Sequence, residues 1–290
     1  MSGLAAQGAS LIGDEEKHDI KLIALDLDGT TLDAKGQLTD RTKKTLEEAI
    51  RRGIILVIAT GRAYSALPEE IFSIEGIRYI VTSNGACVTD IIENELVYSN
   101  CIEASALEAA VETLRKYNFM LEVFVEGRPY VEKSVYENVP SMNLKEKHKR
   151  YIMRTREPVE GLLEFALWHK DLVENINVNF EDQENRSMMR GVLGQLENVT
   201  LTTSFDHNLE LGGATTSKAD AVRVICEKFG IHESQVMACG DSPNDTAMLR
   251  AAGLPVAVEN AKDELKEIAR YVTKSNDEDG VAMAIERLAL

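Results

Sequence analysis

Five short apolar runs punctuate the chain: KLIAL (21–25), IILVIA (54–59), RYIVT (78–82), VMAC (236–239) and PVAV (255–258). They are rich in branched residues and lack polar alternation, the pattern of strands covered on both faces of a parallel sheet. Helical patterns separate them. TDRTKKTLEEAIRRG (39–53) offers Thr39 or Asp40 as a cap and Gly53 as a stop, and TSKADAVRVICEKFG (216–230) offers Ser217 and Gly230 in the same roles. Strands alternating with helices predict a doubly wound, Rossmann-like α/β core.

The middle of the chain follows another rhythm. LEVFVEGRPYVE (121–132) alternates and turns at Glu126-Gly127, as a hairpin does, while NINVNF (175–180) sets Ile176, Val178 and Phe180 on one face and asparagines on the other. Two helical stripes accompany them, Leu107/Ala110/Val111/Leu114 and Met189/Val192/Leu193/Leu196. One-sided strands with helices predict an α+β module inserted into the core. The expected division is 1–86 for the first part of the core, 87–207 for the inserted module and 208–290 for the second part, with 1–18 a leader. The basic run LKEKHKRY (144–151) reads as a solvated helix face, and Trp168-His169 as packing.

Composition narrows the class. With 44% hydrophobic and 28% charged residues the 290-residue chain reads as globular, and a net charge of −16 argues against a nucleic-acid surface. No apolar run approaches the roughly 18 residues of a membrane helix, so no membrane partner is expected. Cys87, Cys101, Cys226 and Cys239 include no CxxC pair, which favours reduced thiols and a cytoplasmic location. The five histidines have no zinc-ligand spacing.

The ends of the apolar runs carry the chemistry. They read Asp26-Leu27-Asp28-Gly29-Thr30, then Thr60-Gly61-Arg62, then Ser83-Asn84-Gly85, then Gly240-Asp241-Ser242-Pro243-Asn244-Asp245, with Thr216-Ser217-Lys218 opening a helix. In an open parallel sheet these ends share one rim. Two adjacent carboxylates repel unless something compensates them. Carboxylates, hydroxyls and glycines suit a hard cation such as Mg²⁺, and Thr60 and Lys218 supply donors for a phosphoryl group. If the pleat continues, Leu27 points into the core and both aspartates face the site. One can stay ionised as nucleophile or ligand while the other moves a proton. Each motif alone has an ordinary reading: Asp-Gly favours turns, and Ser242-Pro243 can simply start a helix. Their joint placement at strand ends favours the chemical one.

In this order, DLDGT, ATGR, SNGA, SK and GDSPND resemble the haloacid dehalogenase-like superfamily of phosphohydrolases, and most closely its Cof-type branch with a large α/β cap. The resemblance spans about 20–86 and 208–290. It implies that Asp26 attacks phosphorus to form an aspartyl-phosphate, and that Asp28 protonates the leaving oxygen and then activates water. Mg²⁺ would sit on Asp26, Asp241 and the backbone carbonyl of Asp28, with Asp245 in support. Thr60 and Lys218 would bind the phosphoryl oxygens. Gly29, Gly61, Arg62, Ser83, Asn84 and Gly85 would shape the rim, and Asn244 would contact the phosphoryl group or order the metal's surroundings. Two departures touch loop shape: Glu259 precedes Asn260-Ala261, and Ala219 follows Lys218. The implied activity is Mg²⁺-dependent hydrolysis of a small phosphorylated metabolite, a sugar phosphate or related organic phosphate, by a monomer or weak homodimer. The alternatives are a phosphotransferase or mutase, and a non-catalytic binding protein on the same fold.

Overall fold

The computed structural model describes residues 18–142 and 146–290; the expected leader lies, apart from His18, outside them. The strands are β1 (Leu22–Leu25), β2 (Ile55–Ala59), β3 (Tyr79–Thr82), β4 (Cys87–Asp90), β5 (Glu95–Ser99), β6 (Met120–Val125) and β7 (Arg128–Glu132). They continue as β8 (Glu157–Val159), β9 (Val173–Asn179), β10 (Val199–Thr202), β11 (Asn208–Gly213), β12 (Val236–Gly240), β13 (Leu254–Ala257) and β14 (Tyr271–Val272).

Eight strands form one sheet in the order β14-β13-β12-β1-β2-β3-β4-β5. From β14 to β3 the pairing is parallel, with Leu25 opposite both Cys239 and Ile58. β1 through β3 are fully buried except Ile55, as the unbroken apolar runs predict, and β4 is buried except Thr89; each buried Leu or Ile contributes about 1.5–3 kcal/mol. The helix Asp40–Arg51, capped by Thr39, packs against Gly280–Leu288, and Lys218–Phe229, capped by Ser217 and ended by left-handed Gly230, packs against Thr246–Ala251. The chain runs outward from β1 in both directions, so the switch point lies between β1 and β12, where ligands bind in open α/β sheets.

The second sheet has six strands, β10-β11-β9-β6-β7-β8, mostly antiparallel. Both helical stripes pack on one face of it, in a core of their own with Ile176, Val178 and Phe180. The hairpin turns where expected, with positive φ at both Glu126 and Gly127. Sheet membership departs from the expected division at two points. β4 and β5 (87–99) extend the large sheet, because β4 pairs antiparallel with β3, and β11, expected in the second core segment, lies between β9 and β10. Backbone pairing decides both, and hydropathy does not record it. Trp168 is 80% exposed, so it does not pack as expected. The basic run's helix, Glu146–Thr155, exposes Lys147 and Arg150 but turns Tyr151 inward and buries Ile152. Among the described residues no helix is long and apolar enough to cross a membrane.

Candidate active site

Asp26 and Asp28 leave β1 beside the end of β12. Leu27 is fully buried, and its carbonyl accepts from the N–H groups of Thr30, Thr31 and Leu32, closing a tight turn. Gly29 sits in that turn at φ +83°, where a Cβ would lie 2.6 Å from Asp241 Oδ2. Thr30 Oγ1 donates to Asp241 Oδ1 at 2.7 Å, joining the two strand ends.

Lys218 lies at the centre. It has no exposed surface, and its Nζ donates to Asp26 Oδ1 at 2.6 Å and to Asp245 Oδ1 at 2.7 Å. Burial alone would lower the lysine's pKa, but Asp245 and Asp26 outweigh it and hold the pKa above the ordinary lysine value. The other oxygen of Asp245 accepts from the backbone N–H groups of Asp241 and Ser242, so this residue ties the loop after β12 to Lys218. Burial raises Asp26 well above the usual carboxyl value; Lys218 opposes that, while Asp245 and Asp241 add to it. Burial and Asp245 likewise push Asp241 up to about 6.

Carboxylate oxygens of Asp26, Asp241 and Asp245 lie within 4.8 Å of one another. Three buried or half-buried acids share one lysine, an excess of negative charge that a divalent cation would neutralise. All the side-chain donors are hard oxygens, which fits Mg²⁺ or a similar ion. Asp28 stands apart. Its carboxylate is gripped at both oxygens by Arg62, Nε to Oδ2 at 2.7 Å and a terminal nitrogen to Oδ1 at 2.6 Å.

The neighbouring strand ends complete the rim. Thr60 is buried, and its Oγ1 accepts from the Arg62 N–H at 3.2 Å. Ser83, Asn84 and Gly85 all have positive φ, a rare run for non-glycine residues. That turn hands the N–H groups of Ser83 and Asn84 to the carbonyls of Arg62 and Thr60. At Gly85, with φ +104°, a Cβ would fall 2.1 Å from the Ser217 carbonyl oxygen, so glycine lets the turn meet the start of the lysine helix. Asn244 donates to Asn84 Oδ1 and to Ser204 Oγ, both at 2.9 Å.

Several contributors carried no motif. Ser204, in the turn between β10 and β11, brings the six-stranded sheet onto Asn244; its signal was the hydroxyl run Thr202-Thr203-Ser204. Asn260 donates to the Gly29 carbonyl at 2.7 Å and so braces the first loop despite the Glu259 departure. Tyr151 lies under two guanidinium groups, Arg62 at 5.3 Å and Arg156 at 4.7 Å from the ring centre. Nothing in the basic run around it pointed there. Glu174 accepts from Ser83 Oγ and from the Gly127 N–H, fastening the second sheet to the rim.

The family model of haloacid dehalogenase-like hydrolases matches residues 23–285. The chain is 29% identical to 5-amino-6-(5-phospho-D-ribitylamino)uracil phosphatase YcsE of Bacillus subtilis, over 95% of this chain and 98% of that protein. A haloacid dehalogenase-like hydrolase of B. subtilis superposes with a TM-score of 0.81 at 30% identity, covering 93% of this chain and all of the other. The subclass IIB sugar phosphatase BT4131 superposes with a TM-score of 0.74 at 23% identity, over 92% and 98% of the two chains, a likeness of fold.

Proposed function

This chain belongs to the haloacid dehalogenase-like hydrolase family, in its Cof-type branch, and is a phosphoric monoester hydrolase; on that premise we propose that it is a Mg²⁺-dependent phosphatase of a small phosphorylated metabolite, working through an aspartyl-phosphate. The observation that carries this reading is Lys218, held between Asp26 and Asp245 at 2.6 and 2.7 Å with Asp241 alongside. Asp26 and Asp241 would hold the cation, with Asp245 fixing their loop, and the ion would offset the negative charge of phosphate and carboxylates as they meet.

Asp26 Oδ attacks phosphorus while the bond to the leaving oxygen breaks, and Asp28 gives that oxygen its proton. Asp28 must first release an oxygen from Arg62, so the incoming leaving group competes with the guanidinium for it. Water then attacks the aspartyl-phosphate, Asp28 takes the water's proton, and phosphate departs with Asp26 restored. Thr60 and Lys218 bind the phosphoryl oxygens, Asn84 and Asn244 line the same rim, and the six-stranded sheet acts as the cap that excludes bulk water and large substrates. The substrate belongs among sugar phosphates and related organic phosphates. The ribitylamino-uracil phosphate named for the YcsE relative is one member to try. A monomer or weak homodimer in the cytoplasm, with no nucleic-acid or membrane partner, suits this chemistry.

Phosphate release is to be measured from an aryl phosphate and a panel of sugar, polyol and nucleotide phosphates, with Mg²⁺, with EDTA and with Asp26→Asn. Release that needs the metal and vanishes in Asp26→Asn is expected. A folded protein that releases phosphate from none of them would overturn the reading, and conversion without net phosphate release would move it to a mutase.

A further inference from the structure

The face of the six-stranded sheet turned away from its helices is polar and nearly closed to solvent. Glu122, Asn177 and Glu210 stand side by side across β6, β9 and β11, with Asn208 next to them, and all four are buried. Glu122 is met by Arg156 at 2.8 and 3.0 Å and by Asn177 Nδ2 at 2.9 Å. Asn208 Nδ2 donates to Asn177 Oδ1. Glu210 accepts from Ser204 Oγ at 2.7 Å; burial raises its pKa, and Ser204, Asn84 and Lys218 oppose that, which sets this face against the rim. Ser204 itself is bonded to Asn244 of the rim. Asn175, 1% exposed and on the same face as Asn177, has no hydrogen-bond partner for its Oδ1.

Two properties of this face select a ligand. The first is the kind of hydrogen-bonding atom left over: Asn175 Oδ1 has no partner, and the carboxylates keep lone pairs beyond their protein partners, so the face favours a ligand that donates. A hydroxyl donates, whereas a carboxylate or second phosphate brings acceptors alone. The second is charge. Four carboxylates of the rim (Asp26, Asp28, Asp241, Asp245) and three of the cap sheet (Glu122, Glu174, Glu210) lie here, and the ion pairs among them are those with Arg62, Arg156 and Lys218. A divalent cation and a phosphate dianion cancel each other and leave that excess in place. A further anion on the leaving group would then stand beside unneutralised carboxylates at low dielectric.

Building on the phosphatase reading above, we infer that the hydroxyl-bearing leaving group already proposed carries no second anionic substituent, and that Glu210 is the residue that rejects one.

The test compares matched pairs: sorbitol 6-phosphate with 6-phosphogluconate, and fructose 6-phosphate with fructose 1,6-bisphosphate. Each is measured as kcat/KM or, where a compound is not turned over, as its inhibition constant against p-nitrophenyl phosphate hydrolysis. The neutral member of each pair is expected to be favoured at least about tenfold. Glu210→Gln, whose amide oxygen can still accept from Ser204, is expected to narrow that ratio several-fold, chiefly by improving the anionic member. Glu174→Gln serves as a second variant, with a smaller narrowing, should Glu210→Gln fold poorly. An anionic member favoured or equal in the unmodified protein overturns the inference, as does a ratio unmoved in both folded variants. Failure of the phosphatase reading looks different: p-nitrophenyl phosphate itself would release no phosphate.

Discussion

Both sheets bury carboxylates, but they settle them in opposite ways. On the large sheet Asp26 and Asp245 hold a single ammonium with Asp241 alongside, and Asp26 and Asp241 are driven upward in pKa by burial first and by the neighbouring carboxylates second. On the six-stranded sheet each acid has its own arrangement: Glu122 with Arg156, Glu174 with a hydroxyl and a backbone N–H, Glu210 with Ser204. The first pattern sets three carboxylates where they could hold a cation. The second gives each acid its partners within the protein, leaves Asn175 Oδ1 without one and presents a shaped polar surface. Buried charge alone does not mark a catalytic centre; a shared, under-neutralised cluster does.

Removing the cation from each region is the sharpest way to break this comparison. Lys218→Met leaves Asp26 and Asp245 buried without their partner, so phosphate release should fall at least about a hundredfold and metal-free stability by about 3–5 kcal/mol. Because the same acids can bind a divalent ion, Mg²⁺ should restore part of that stability in urea unfolding. Arg156→Met leaves the buried Glu122 carboxylate with Asn177 but without the Arg156 cation, and should lose a similar about 3–5 kcal/mol, with Mg²⁺ restoring none of it and kcat on an aryl phosphate changing far less. If Mg²⁺ rescues both or neither, the two regions do not differ as described.

The pH response should separate them as well. Asp241 has a folded pKa of about 6 against an ordinary 3.8. A carboxyl raised on folding binds more protons in the native than in the unfolded chain between those values. Stability from this group is therefore fully present below the unfolded pKa and lost as pH rises through about 6 in the metal-free protein, an effect of about 3 kcal/mol at most. Mg²⁺ requires the ionised form. Its affinity, read from the shift in unfolding midpoint, should fall up to about tenfold per pH unit below that pKa for this one group. An affinity flat from pH 5 to 8 would show that Asp241 does not hold the ion.

The smallest expected effect lies on the large sheet but away from its carboxylate cluster. Asp90, at the end of β4, accepts from Arg78 and from the N–H groups of Ile92 and Glu93, and burial is outweighed by these bonds so that its pKa is lowered. Asp90→Ala should cost about 1–3 kcal/mol in thermal unfolding and leave kcat on an aryl phosphate within about twofold. A large loss of activity would mean that the β4–β5 hairpin couples to the rim.

Local sequence was most legible where one physical rule acts alone. Unbroken apolar runs can be buried only on both faces, so β1, β2, β3, β12 and β13 could be placed, and their polar ends followed. Thr39, Ser217 and Gly230 announced the ends of their helices through backbone geometry. The alternation in 175–180 separated Ile176 and Val178 from the asparagines, because a strand's side chains can take just two faces. The same pattern left open what covered those asparagines, and the fold buries Asn175 and Asn177, with Asn177 bonded to Glu122 and Asn208.

What the chain alone determined, then, is chemistry that needs a residue type next to a strand end: two aspartates after β1, a lysine after a cap, an acid-rich loop after β12. Tertiary structure decided the pairings across distance. Thr30 reaches Asp241 across 211 positions, Asn260 braces Gly29 across 231, and Tyr151 slips between Arg62 and Arg156. The same is true of the β4–β5 hairpin, whose place was set by backbone hydrogen bonds to β3. Periodicity reports which side of an element is buried, since burial follows hydropathy along a few neighbouring residues. Which polar partner waits on that side depends on how elements far apart in the chain come together, and no local pattern encodes it.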